Sequence, residues 1–414
     1  MTRLTIIGGG LTGILAAFEA HRLGVRDIRL HERFDRLGGV AVSPVRHGVE
    51  LREGCGYFGP PGDPIRETLT AHGVVFDDID NRFGAVSRGR DSELLYVEDF
   101  GGPALDCHSP ALSAPTDNSL AGRIAAYPPE LQAPLSRYAQ WHLGADLGAI
   151  HASAATPLAI NRVYPIGADL AALAAQKQRE PLANDLLAIP RSLWGRSENV
   201  TASLPRGGFA ALFARCHAAL EALGVTLHPD SFIPPRLALA EVGADDVLVW
   251  AASPTPLFKA MGAPIPKMLA KRFASYVHSA NWSGPCPFYV QNFTAEGACF
   301  RAYVYESGGQ TLLTAECVAE ASEADLRDEV TRLLSGFGEL SLGSLLGASV
   351  KPRWIYHTVD AIDGLGQLRR ALAARFGAQF VCGAWEPYAK AEKHLEVNAA
   401  LADALTRSRS AAAA

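Results

Sequence analysis

Leu4-Thr5-Ile6-Ile7-Gly8-Gly9-Gly10-Leu11-Thr12-Gly13 decides the fold. Leu4 to Ile7 is a short apolar run that reads as a strand stopping on glycine. Ile14 to Leu23 then reads as a helix, with the small Ala16 and Ala17 turned back toward that strand. Ile28 to His31 reads as a second strand, and Glu32 stands at its end. Strand, glycine turn, helix, strand and acid in this order form the βαβ dinucleotide fingerprint. Gly8 allows the tight turn. Gly10 lets the backbone approach a pyrophosphate, which then sits at the helix N-terminus beside Leu11 and Thr12. Gly13 permits close packing of helix on strand. Glu32 follows Gly13 by 19 residues. It can accept hydrogen bonds from ribose hydroxyls, and it disfavours a 2′-phosphate.

The residues that follow choose the dinucleotide. Glu32-Arg33-Phe34-Asp35-Arg36-Leu37-Gly38-Gly39 places a glycine pair just past the acid. This resembles the extended signature of the FAD-binding family that holds the amine oxidases, protoporphyrinogen oxidase, phytoene desaturases and UDP-galactopyranose mutase. The resemblance implies that Gly38 and Gly39 pass close to an FAD pyrophosphate and that Arg33 lies near the adenosine ribose. It also implies that the segment Gly54-Cys55-Gly56-Tyr57-Phe58-Gly59 runs along the flavin ring.

Composition agrees with a packed globular protein and excludes other classes. The chain has 414 residues, 48% hydrophobic and 20% charged, enough to bury a sizeable core. Lys plus Arg total 38 against 43 Asp plus Glu, a net charge of −5, which offers no basic surface for nucleic acid or membrane. The seven cysteines are widely spaced without metal-ligand spacing, so reduced thiols, no metal and a cytoplasmic protein are expected. No uncharged apolar run reaches the roughly 18 residues that mark a membrane helix, and no leader peptide is expected.

Further along, Leu204-Pro205-Arg206-Gly207-Gly208-Phe209 opens a helix, Ala210 to Leu223, followed by strands at Val225–Leu227 and Asp246–Ala251. Residues 287–293, 299–306 and 311–317 read as antiparallel strands with glycine-bearing turns. Gln379 to Glu386 reads as a strand ending at Gly383, and a helix is expected over about 395–405 with a frayed tail beyond. In the family this last strand and helix close over the flavin, which brings Gly383 and Trp385 to the cofactor. The expectation is an α/β fold: a Rossmann-type, glutathione-reductase-like FAD-binding domain with an inserted α+β substrate domain carrying helices and an antiparallel sheet. The FAD-binding domain takes residues 1–85, 200–265 and 350–410. The substrate domain takes 86–199 and 266–349.

Two chemistries stay open. One is redox: hydride passes from a small polar or anionic substrate, an amine or alcohol, to flavin N5. Aromatic residues would shape that pocket, with Tyr57 and Phe58, Tyr303 and Tyr305, and Trp385 and Tyr388 the candidates. The other resembles UDP-galactopyranose mutase and acts on a sugar nucleotide without net redox change. The mutase holds its diphosphate with two arginines, and Arg191 and Arg301 match its pattern, in Ile189-Pro190-Arg191 and Phe300-Arg301-Ala302-Tyr303. An Arg fork suits a diphosphate or a carboxylate. The mutase's flavin-side histidines and its terminal Gly-Arg are absent. Lys390 and Lys393 read as a solvated charged turn. The FAD is expected to be non-covalent, the partner a small molecule, and a homodimer is left open.

Overall fold

The computed structural model describes residues 2–53, 56–80, 82–190, 201–243 and 246–413. Five parallel strands form one sheet, in the order Thr226–His228, Asp27–His31, Arg3–Ile7, Asp246–Trp250 and Phe380–Cys382. Three distant stretches of sequence therefore meet in one sheet. Both faces are covered, as a parallel sheet requires. On one face, Leu4, Ile6, Leu30 and Val249 pack with Leu15 of the first helix (Leu11–Arg22) and with Val397 and Leu401 of the last helix (Lys390–Ala413). On the other, Leu248 and Trp250 pack against Leu365, Leu368 and Leu372 of the helix Val359–Phe376.

A second sheet has seven strands, ordered Leu340–Tyr356, Leu269–Trp282, Gln310–Cys317, Cys299–Ser307, Phe288–Asn292, Arg82–Arg88 and Leu94–Glu98. Every pairing is antiparallel except Phe288–Asn292 with Arg82–Arg88, which is parallel. One face is apolar: Ala302, Val304, Leu313 and Ala315 pack on Leu326, Val330 and Leu333 of the helix Glu323–Leu334. Strand alternation sends the intervening residues to the opposite face. There the register aligns Phe83, Tyr289, Tyr303 and Thr314 in one row, and Gln291, Arg301 and Glu316 in the next. The hairpin between Ser307 and Gln310 turns on Gly308 and Gly309, both at positive φ (58° and 73°), the turn that this twist favours.

Several elements depart from the expectations. The strands Leu269–Trp282 and Leu340–Tyr356 were not anticipated. Their sequences mix Lys, Arg, Ser, Gly and Pro, and register shifts at Lys271/Arg272 and Val277/His278 break the period-two pattern. The expected domain boundaries at 85/86 and 349/350 fall inside strands of this sheet. The last helix starts five residues earlier than expected and runs on to Ala413, because its alanine-rich end has high helix propensity. No helix among the described residues is long and apolar enough to cross a membrane.

Candidate functional site

A cavity of about 680 Å³ lies where the first strand, the first helix and the last helix meet. Its floor is the glycine turn. Gly8 sits at φ 108°, and a Cβ there would come within 2.9 Å of the Ala252 backbone. A Cβ on Gly13 would fall 1.9 Å from the Gly8 carbonyl oxygen. These two glycines serve the protein's own packing. Gly10 is different. Its φ of −73° suits any residue, and a Cβ there would meet only the Gly39 Cα, 4.0 Å away. The empty space above Gly10 faces the cavity.

Gly38 N–H donates to the Gly9 carbonyl at 2.8 Å, which pins the glycine pair against the turn. Glu32 is 5% exposed and lines the cavity. Its two carboxylate oxygens accept from Gly9 N–H (2.7 Å) and Phe34 N–H (3.0 Å). Each oxygen keeps a further acceptor site. The leading N–H groups of any helix lack an intrahelical acceptor, and in the first helix no N-cap side chain supplies one. Two polar atoms at the cavity wall, His394 Nδ1 and Asn398 Oδ1, are buried without a hydrogen-bond partner among the described residues. An open glycine, uncapped helix N–H groups, an acid with spare acceptor sites and orphaned wall atoms fit a bound dinucleotide.

Residues 6–71 match the NAD(P)-binding Rossmann-like domain family. Over nearly the whole length the chain superimposes on a reduced UDP-galactopyranose mutase (TM-score 0.64, 14% identity, 98% of this chain and 96% of that one). The fold is that of the amine oxidase and UDP-galactopyranose mutase group. Cyclohexylamine oxidase from Brevibacterium oxydans IH-35A (TM-score 0.57, 13% identity, 98% and 99%) and putrescine oxidase (0.53, 15%, 100% and 99%) share it. A 41-residue stretch is 58% identical to tryptophan 2-monooxygenase of Pantoea agglomerans pv. gypsophilae. That stretch is 10% of this chain and 7% of that protein.

Measured on this fold, the expected cofactor residues divide. Gly8, Gly10, Leu11, Thr12, Glu32, Arg33, Gly38 and Gly39 line the cavity. Arg33 stacks its guanidinium over Phe34 at 4.5 Å, near the cavity mouth. Gly383 and Trp385 stand behind the wall. A Cβ on Gly383 would come within 2.5 Å of the Trp250 carbonyl, and Trp385 Nε1 donates to the Ala252 carbonyl at 3.1 Å. Both pack directly on the backbone of the wall residues Ala251 and Ala252.

The expected substrate residues that the structure describes sit in different surroundings. Arg191 lies outside the described residues. Arg301 is 8% exposed and ion-paired with Glu316, itself 1% exposed, and its Nη1 donates to the Tyr289 hydroxyl at 3.5 Å. Cross-strand register sets Glu316 directly opposite Arg301, and the two form a buried ion pair. Tyr303 is buried, stacked on Tyr305 at 5.1 Å. Tyr388 accepts from His357 N–H (2.9 Å) and donates to the Ile355 carbonyl (3.0 Å), and burial pushes its pKa up to about 12. It braces the chain between sheet and last helix. Tyr57 does not line the cavity but contacts a residue that does: its carbonyl accepts from Lys390 Nζ at 2.9 Å, and its ring meets Phe83 edge-on at 6.1 Å.

Sequence reasoning missed the last helix's contribution. Lys390, Lys393, His394, Val397 and Asn398 all line the cavity. Their spacing, i, i+3, i+4, i+7, i+8, is one helical face. That pattern is present in the sequence once the helix begins at Lys390. It also missed Arg52. Arg52 is 6% exposed, pairs with Glu50 at 3.1 Å and lines a second cavity of about 520 Å³ with Tyr305, Ser307 and Cys286.

Proposed function

We propose that this protein is an FAD-dependent oxidoreductase that takes hydride from a small polar substrate, an amine or alcohol. One observation carries the reading. The cavity runs from Glu32 past the open Gly10 to Lys390, and Lys390 touches Tyr57, which leans on the Phe83–Tyr289 row of the seven-stranded sheet. A dinucleotide with its adenosine at Glu32 and its diphosphate over Gly10 directs its other end toward that aromatic row. FAD, when bound, supplies a hydride acceptor at flavin N5.

The chain's own part is binding and exclusion of water. Glu32 holds ribose hydroxyls. The first helix's N–H groups hold the diphosphate. Tyr57, Phe83 and Tyr289 make an apolar wall that keeps water from the reacting atoms. The cavity beside Arg52 and Tyr305, with Glu50 and Ser307, is a polar recess that a substrate could occupy.

The test is spectroscopic. Purified protein should be yellow or take up FAD, and an amine or alcohol substrate should bleach the flavin without oxygen. A protein that neither carries nor takes up flavin ends this reading. Activity on a sugar nucleotide only after dithionite reduction, with no change in substrate oxidation level, would replace it with mutase chemistry.

A further inference from the structure

The last helix brings two ammonium groups to the dinucleotide cavity, and they differ in what they touch. Lys390 donates to the Tyr57 carbonyl and lies 4.9 Å above the Phe58 ring. Lys393 is half-buried and lines the same cavity. It makes no ion pair and no side-chain hydrogen bond among the described residues. The carboxylates nearest in charge are Glu386 and Glu396, and both are ion-paired with Arg369, Glu396 at 2.6 Å. Burial pushes the Lys393 pKa down. A desolvated ammonium whose nearest carboxylates are already engaged by Arg369 is unfavourable, and an anion in the cavity it faces would relieve it.

We propose that Lys393 is a cationic anchor for the diphosphate of the bound dinucleotide, acting from the last helix opposite the glycine turn. The inference rests on the FAD reading above. A helix N-terminus offers roughly half a positive charge, too little to balance a diphosphate by itself. Glu32, the nearest acid on the cavity floor, adds negative charge. Lys393 supplies a full opposing charge. Its helix packs against the first helix through Leu15, Val397 and Leu401, so the two diphosphate-binding elements are held by one core.

The experiment measures FAD release from the full-length holoprotein by flavin fluorescence, as a function of salt, in wild type, Lys393→Met, Lys393→Gln and Lys393→Arg. The neutral variants should bind FAD about 10- to 100-fold more weakly, the range for losing a hydrogen bond to a charged group. Their salt dependence should flatten, and Lys393→Arg should recover most of the loss. Unchanged affinity in both neutral variants overturns the proposal. So does unchanged affinity with a shifted flavin reduction potential, which would put the ammonium against the ring system. Two neutral variants guard against one that fails to fold. If wild type holds no flavin, ADP titration of the same proteins tests the diphosphate contact alone. A wild type that binds ADP, with the same loss in the neutral variants, keeps this contact while the FAD reading falls. A wild type that binds neither overturns both.

Discussion

Gly10 and Gly13 are three residues apart and fill opposite roles. Gly13 has no room for a Cβ because the Gly8 carbonyl would lie 1.9 Å away. Gly13→Ala must shift backbone and should destabilise the fold by about 1–3 kcal/mol or more, read by urea unfolding. Gly10 has room and an ordinary φ. Gly10→Ala should leave stability within about 0.5 kcal/mol yet weaken dinucleotide binding, because its methyl group occupies the ligand's space. Equal loss of stability in both variants would show that Gly10 also serves packing. Arg301 carries the other residue-scale prediction. Arg301→Met removes the ion-pair partner of a buried carboxylate and should cost about 3–5 kcal/mol, while Arg301→Met with Glu316→Leu should regain much of it. A stable Arg301→Met protein with a raised KM would return Arg301 to the substrate site.

At the scale of elements, the last helix does most to define the site. Its cavity face carries Lys390, Lys393, His394, Val397 and Asn398. Its start at Lys390 rather than near residue 395 puts two lysines on the cavity lining, Lys390 still exposed and Lys393 half-buried. The seven-stranded sheet works by register. Alternation puts Ala302 and Val304 on the helix side, and Tyr303 and Arg301 on the other. The strands whose pattern was regular, 288–292, 299–307 and 310–317, were legible in the sequence. The two long strands with bulges and charged residues were not, since a register shift changes which face each residue takes.

For the whole molecule, buried histidines set the pH response. Burial pushes His142 down to about 3 and His31 down to about 4, and lowers His278, His357 and His394 as well. Each folded-state pKa lies below the unfolded value near 6.5. The unfolded chain therefore binds more protons through that window. The histidine contribution is fully present above about pH 6.5 and is lost as pH falls toward the folded values. The unfolding midpoint should drop by several degrees between about pH 7 and about pH 4. A flat profile would mean that these rings are solvated in the folded protein.

By itself the sequence determined the dinucleotide fingerprint, the glycine pair and the acid, because these are local: turn sterics, a helix N-terminus and a spacing along the chain. The same locality made the steric roles of Gly8 and Gly13 readable residue by residue. Partnership between distant segments was decided only in the tertiary structure. Arg301 reads equally well as a ligand for an anion or as half of an ion pair until cross-strand register sets Glu316 opposite it. Lys393 reads as solvated until the last helix packs its face over the glycine turn. In both cases the side chain's chemistry is fixed by type, but its role depends on desolvation and on which charges are near, and those are properties of packing.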